Sequence, residues 1–216
     1  MEFDGRLESA VAEMSEQLLV EGQPGDFVVL LRRGPVKVVT ADGVGRDHVL
    51  GVAGPGDLFG ELTCLDGRDQ SATMVALGEV QTVKVAAGSF VGLTDARPAV
   101  AREVACLLGS RLRTTHRFWV DRNVPDVALR VVRAITTVAA VVEGGTTTSM
   151  GGGVVVSLTQ EELAQLVGAS PVAVQRALRR LRIQRLAVTG YGQCGFRACG
   201  VCGPTTRRPR TVEHNS

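Results

Sequence analysis

The sequence predicts an α+β chain: an N-terminal antiparallel β-roll, one long helix, and a C-terminal winged helix-turn-helix. Three observations carry this: short β-branched runs cut by glycine turns between Gly25 and Val85, an uninterrupted helical stripe from Arg97 to Trp119, and a capped helix pair between Leu158 and Leu178. At 216 residues the chain is long enough for two cores without staples, and its 44% hydrophobic and 21% charged composition belongs to the globular class.

The roll is read from five runs, Phe27 to Leu31, Val36 to Thr40, His48 to Val52, Ala72 to Ala76 and Val80 to Val85. Between them, Gly54-Pro55-Gly56-Asp57 and Gly60 leave little room for helix. Next, Val100, Val104, Leu107, Leu108, Leu112 and Thr115 recur at helical spacing. That stripe extends beyond what a small roll can cover, so the expected partner is a second copy of the same helix; packing on its own domain is the plainer alternative.

Asn123-Val124-Pro125-Asp126 reads as a hinge, followed by a helix that buries Val127, Val131, Ile135 and Val138. Gly144 to Gly153 is a low-complexity loop. The expected divisions are therefore a sensor roll at 1–95, the long helix at 96–122, the helix-turn-helix domain at 123–198 and a disordered tail at 199–216.

The helix pair is the sharpest signal. Thr159 with Glu162 forms a capping box, Ala164 is small where helices cross, and Gly168 supplies a left-handed turn. Ser170 caps the second helix, and Pro171 takes its first position, where no N–H is needed. That helix should bury Val174, Ala177, Leu178 and Leu181 while exposing Gln175, Arg176, Arg179, Arg180 and Arg182. A basic face after a tight turn suits the major groove of double-stranded DNA; a helical hairpin with a solvated face is the alternative. Leu186 to Thr189 and the Gly190-Tyr191-Gly192 turn begin a wing, where Tyr191 and Arg197 could touch the DNA backbone.

Charge agrees with this division. Residues 1–122 hold 13 Lys and Arg against 17 Asp and Glu, whereas 123–216 hold 11 against 5. A cationic C-terminal part suits a polyanion.

With these motifs in order, the chain resembles the cyclic-AMP receptor protein/FNR family of bacterial regulators from about Gly22 to Gly192. The matching residues are Gly25-Asp26, Gly54-Pro55-Gly56-Asp57, Phe59-Gly60-Glu61-Leu62, Ser71-Ala72-Thr73, Phe90, Pro98 and the helix-turn-helix. The resemblance implies a cyclic-nucleotide-binding-like roll over a small-molecule effector, a homodimer through the long helix, reorientation of the DNA-binding domains on effector binding, and RNA polymerase as a candidate partner. It places the effector at Gly60, Glu61, Leu62, Gln70, Ser71 and Thr115. In nucleotide-binding members an Arg-Ser pair holds the cyclic phosphate, but Gln70-Ser71 stands here, and a carboxamide has neither the charge nor the fork of a guanidinium. That weakens cyclic nucleotide as the effector. Arg68, two residues earlier, could reach in only by a large change of loop geometry.

By the same resemblance the DNA-contacting set is Thr159, Ser170, Val172, Ala173, Gln175, Arg176, Arg179 and Arg180. Pro171 and Val172 replace the arginine and glutamate that read bases in the best-known members, while Arg176 matches a third reading position. The expected operator is a two-fold symmetric site of different sequence.

Other classes have less support. No Walker loop, His-Glu-x-x-His or Gly-x-Ser-x-Gly motif is present, so no enzyme is expected. A binding module acting through protein contacts, or a regulator needing no effector, remains the alternative. Five cysteines, Cys64, Cys106, Cys194, Cys199 and Cys202, read as free thiols. Cys194, Cys199 and Cys202 with His214 are a loose zinc arrangement, read instead as tail. An N-terminal iron–sulfur site lacks its cysteines, and His48 and His116 are read as surface or packing residues rather than haem ligands. No membrane span or secretory signal is seen, so a cytoplasmic address is expected.

Overall fold

Alternation along the strands decides the roll. Val29 and Leu31 point inward, with Val36, Met74, Ala76 and Val80, into the core between two sheets. Val28 faces the opposite way, onto Phe90 and Val104, so one strand serves two cores. We describe the chain from a computed structural model covering residues 7–142, 153–156, 158–184, 187–190 and 193–197.

The strands are β1 (Leu7–Ala12), β2 (Gln17–Leu19), β3 (Phe27–Arg33), β4 (Val36–Ala41), β5 (Asp47–Ala53), β6 (Leu58–Phe59), β7 (Thr73–Ala76) and β8 (Val80–Ala86). They form two antiparallel four-stranded sheets, ordered β1-β8-β3-β6 and β2-β7-β4-β5. All five expected strands are present. The sequence reading missed β1, β2 and β6, which are short or lack a β-branched run. It was also mistaken that helix has little room beyond Gly60: α1 (Glu61–Asp66) starts there, bracketed by Gly60 and Gly67, both left-handed.

Helix α2 (Ala87–Ala96) leads through extended Arg97 to α3 (Pro98–Asp121), because the residue before a proline is pushed out of the helical region. Of the expected stripe on α3, only Val104 is buried. Leu112, Trp119 and Val120 are 56%, 66% and 68% exposed in the single chain.

After a turn at Asn123 to Asp126, α4 (Val127–Val142) buries Val131, Ile135 and Val138. They meet Leu163, Leu166 and Val167 of α5 (Gln160–Val167) and Val174, Leu178 and Leu181 of α6 (Pro171–Ile183). Strand β9 (Gly153–Val156) joins β10 (Ala187–Gly190) and β11 (Gln193–Arg197) in a three-stranded wing sheet, ordered β10-β11-β9. Most of the Gly144 to Gly153 loop, Tyr191, Cys199, Cys202, His214 and the tail lie outside the described residues.

The two halves of the chain share a core. Val39, Val49, Val75 and Leu77 of the roll join the apolar cluster of α4, α5 and α6. Polar ties reinforce it: Lys37 pairs with Glu162, and the Val49 N–H donates to Gln165 Oε1 at 3.1 Å. The end of α4 lies so close that a Cβ at Gly54 would sit 2.7 Å from the Val141 carbonyl oxygen.

Candidate functional site

Caps place the basic helix. The Thr159 hydroxyl accepts from the Glu162 N–H at 3.1 Å, and the Glu162 carboxylate accepts from the Thr159 N–H at 2.8 Å, closing the expected capping box. At Gly168 the backbone turns left-handed (φ 62°), and Ser170 Oγ accepts from the Ala173 N–H at 3.3 Å. Arg130 holds the turn from below, donating to the carbonyls of Arg122, Val167 and Gly168 at 3.1, 3.2 and 3.0 Å. Burial would raise the Glu162 pKa, but hydrogen bonds from Lys37 and the Thr159 N–H outweigh it and leave it lowered.

α6 is thereby fixed with Val174, Ala177, Leu178 and Leu181 inside. Val172, Gln175, Arg176 and Arg179 share one exposed face at three- and four-residue spacing. Among the described residues Gln175, Arg176 and Arg179 have no hydrogen-bond or ion-pair partner, while Arg180 lies 3.4 Å from Asp126. Ala173 is half-buried, and Thr159 and Ser170 are exposed although their oxygens serve as caps. Of the predicted DNA-contacting residues, Val172, Gln175, Arg176 and Arg179 share that face, while Ala173 is half-buried, Arg180 is engaged with Asp126, and Thr159 caps the preceding helix.

The second feature is a cleft of about 980 Å³ between the sheets, α1, α3 and the far end of α4. Gly60, Glu61, Leu62, Gln70, Ser71 and Thr115 all line it. Glu61 is 1% exposed, and Arg111, which the sequence reading missed, donates to its Oε1 at 2.8 Å and to the Leu58 carbonyl at 2.6 Å. The Arg111 guanidinium also lies 4.4 Å from the Phe59 ring centre. Burial raises the Glu61 pKa, against the opposing charge of Arg111. Arg111 was findable, being one helical turn before Thr115, whose hydroxyl donates to its carbonyl at 3.0 Å.

Gln70 is 7% exposed, anchored by backbone bonds to Gly22 and Gln23. Arg68 does not line the cleft; its side chain is 86% exposed, 3.9 Å from Asp66. Among the described residues Arg111 is the sole cation lining the cleft, and it is committed to Glu61. The lining suits ligand hydroxyls at Glu61, and among the described residues it holds no unengaged cation for a cyclic phosphate. Elsewhere, His48 lies 3.0 Å from Asp42, Cys64 and Cys106 are free thiols, and no metal-binding cluster occurs among the described residues. No described helix is long and apolar enough to cross a membrane.

A two-sheet roll with an internal cleft, carried by a long helix to a capped basic helix-turn-helix and wing, defines a DNA-binding regulator rather than an enzyme. Comparison with known proteins gives the family. Residues 11–97 match the cyclic nucleotide-binding domain and residues 130–194 the Crp-like helix-turn-helix domain. The chain is 32% identical over 187 residues to a CRP-like cAMP-activated global transcriptional regulator of Mycobacterium tuberculosis, covering 82% of this chain and 83% of that protein. It is 27% identical to the cyclic AMP receptor protein of Thermus thermophilus, over 81% of this chain and 77% of that one. Its fold is similar to a solved CRP/FNR-family transcriptional regulator from Thermus thermophilus (TM-score 0.72, 21% identity, 88% and 93% of the chains). It is also similar to the c-di-GMP-responsive regulator CLP of Xanthomonas campestris (TM-score 0.70, 20% identity, 89% and 95%). The chain belongs to the Crp/Fnr family of DNA-binding transcription regulators, which are not enzymes.

Proposed function

We propose that the chain acts as a homodimer, paired through α3, that presents two copies of α6 to a two-fold symmetric operator. The division is a sensor roll at 1–95, the dimer helix at 96–122, the DNA-binding domain at 123–198 and a tail beyond, in a cytoplasmic protein. The observation that carries this is the stripe of Gln175, Arg176 and Arg179, exposed and unpartnered among the described residues on a helix held by two caps. Arg176 reads guanine through its planar fork, and Thr159, Ser170 and Arg179 meet phosphates, the two hydroxyls donating while their oxygens cap.

Dimerisation is supported by Leu108, Leu112, Thr115 and Trp119, which follow a four-three-four spacing along a largely exposed seam of α3. The cleft takes a small-molecule effector, with Glu61 and Arg111 as a polar pair and Gly60, Leu62, Gln70, Ser71 and Thr115 around it. Because α4 helps line the cleft, its occupancy bears on the helix-turn-helix directly.

Gel-shift selection from a random duplex pool tests the reading. Sequence-selective retention is expected, and Arg176→Ala should relax preference at one base pair per half-site by about 1–3 kcal/mol. An unchanged profile for that variant refutes the assignment. Calorimetry with cyclic AMP and cyclic GMP tests the effector: heat at one per chain would assign a cyclic nucleotide, and silence with both would favour a regulator that needs no cyclic nucleotide or no effector.

A further inference from the structure

The exposed stripe of α6 contains one residue that charge does not explain. Val172 is 56% exposed, at the N-terminal end of that stripe, with Gln175 and Arg176 beside it one helical turn on. An isopropyl group there has nothing to cover it within the described chain. It sits in the first turn of the helix, the part that meets base edges when such a helix enters the major groove. The other exposed aliphatic residue on this side, Ile183, is 78% exposed and lies about 16 Å further along the axis, at the opposite end.

Val172 has no donor or acceptor, so it can discriminate bases only by shape and solvation. In the major groove, thymine alone offers a methyl group, while cytosine places an N4 amino group nearby that apolar contact would leave unsatisfied. A β-branched side chain in a helix has essentially one rotamer, so the contact requires little further ordering. Its neighbours hydrogen-bond: a glutamine suits adenine and an arginine suits guanine.

We propose that Val172 is a specificity-determining residue, reading the C5-methyl of one thymine in each half-site next to the bases read by Gln175 and Arg176. This rests on the DNA-reading role of α6 argued above.

The test replaces each thymine of a pool-selected duplex in turn by deoxyuridine, which pairs identically but lacks the methyl. Wild-type protein should lose about fourfold in affinity at one position per half-site, the effect of exposing one methyl group, and be indifferent elsewhere. Val172→Ala should bind thymine and uracil duplexes alike at that position, whereas Val172→Thr, which keeps a γ-methyl, should retain part of the discrimination. Since Val172 is exposed, both variants should melt as wild type does. The inference is overturned if every deoxyuridine is tolerated by wild type, or if Val172→Ala shows the same loss. A pool that yields no preferred sequence overturns the function reading as well, so the two failures are distinct.

Discussion

Replacing Arg111 with methionine isolates the polar pair inside the cleft. The substitution preserves much of the stem but removes the bond to Glu61 at 2.8 Å, the bond to the Leu58 carbonyl at 2.6 Å and the cation over Phe59. Glu61, 1% exposed, is left as a buried carboxylate without its counter-charge. Breaking a buried pair from one side costs ~3–5 kcal/mol, and because a third of the Arg111 side chain already meets water, about 3 kcal/mol is expected. The loss should depend on pH. Burial holds the folded-state Glu61 pKa above its unfolded value, and removing Arg111 raises it further, so the variant loses stability as pH rises and the carboxyl must ionise in the fold. Urea unfolding at pH 5 and at pH 8 should therefore show the larger deficit at pH 8, where it approaches about 3 kcal/mol. Adding Glu61→Gln removes the ionisable group and should recover about 1–2 kcal/mol at the higher pH. Equal deficits at both pH values, or a double variant no more stable than Arg111→Met, would refute the claim that an uncompensated buried charge is the cause.

Two further perturbations probe the frame around the site. Gly60→Ala must hold a side chain at φ 80° with its Cβ 2.7 Å from the Phe27 carbonyl oxygen, so thermal melting should show at least about 2 kcal/mol lost. Gly67→Ala, at φ 70° in open space, should lose only the backbone part of that, and equal losses would count against the steric reading. Lys37→Met and Glu162→Gln break the tie between roll and helix-turn-helix while the glutamine can still cap, and their double-mutant cycle should give a coupling of about 1 kcal/mol at pH 7. The Glu162 pKa is lowered in the fold, so this stabilisation is present above the ordinary glutamate range and is lost as pH falls through the lowered value. A coupling that does not fall as the pH is lowered until the Glu162 carboxylate is protonated would show that the two side chains interact other than as an ion pair.

What could be seen in advance follows from the range of the interactions. Caps, turn and buried face of α5 and α6 are set by residues within four positions of one another, so Thr159, Glu162, Gly168, Ser170 and Pro171 specify them locally, and the structure has each in its expected role. The five expected strands of the roll were equally legible because β-branched runs and glycine turns are local signals. Helix α1 was not, since Glu61–Asp66 is six residues long and begins directly after a glycine that reads as turn chemistry. The tie of Lys37 to Glu162 spans 125 positions, and that of Val49 to Gln165 spans 116; no periodicity encodes either.

The cleft shows the same division between chemistry and placement. Its chemistry was partly legible: Gly60, Glu61, Gln70, Ser71 and Thr115 were singled out as residues, and all line one space. Its electrostatics were not, because Glu61 was singled out without Arg111, fifty positions away, and the two become a pair only when α3 packs against the roll. That crossing changes what the pocket can recognise. With Arg111 drawn to Glu61 and Gln70 uncharged, the positive charge in the lining is already compensated, so recognition falls to hydrogen bonds and apolar contact unless a ligand separates the pair. Arg111 lies on α3, whose C-cap Arg122 donates to the Gln165 carbonyl at 3.3 Å, while Arg130 of α4 holds the Val167 and Gly168 carbonyls ahead of α6.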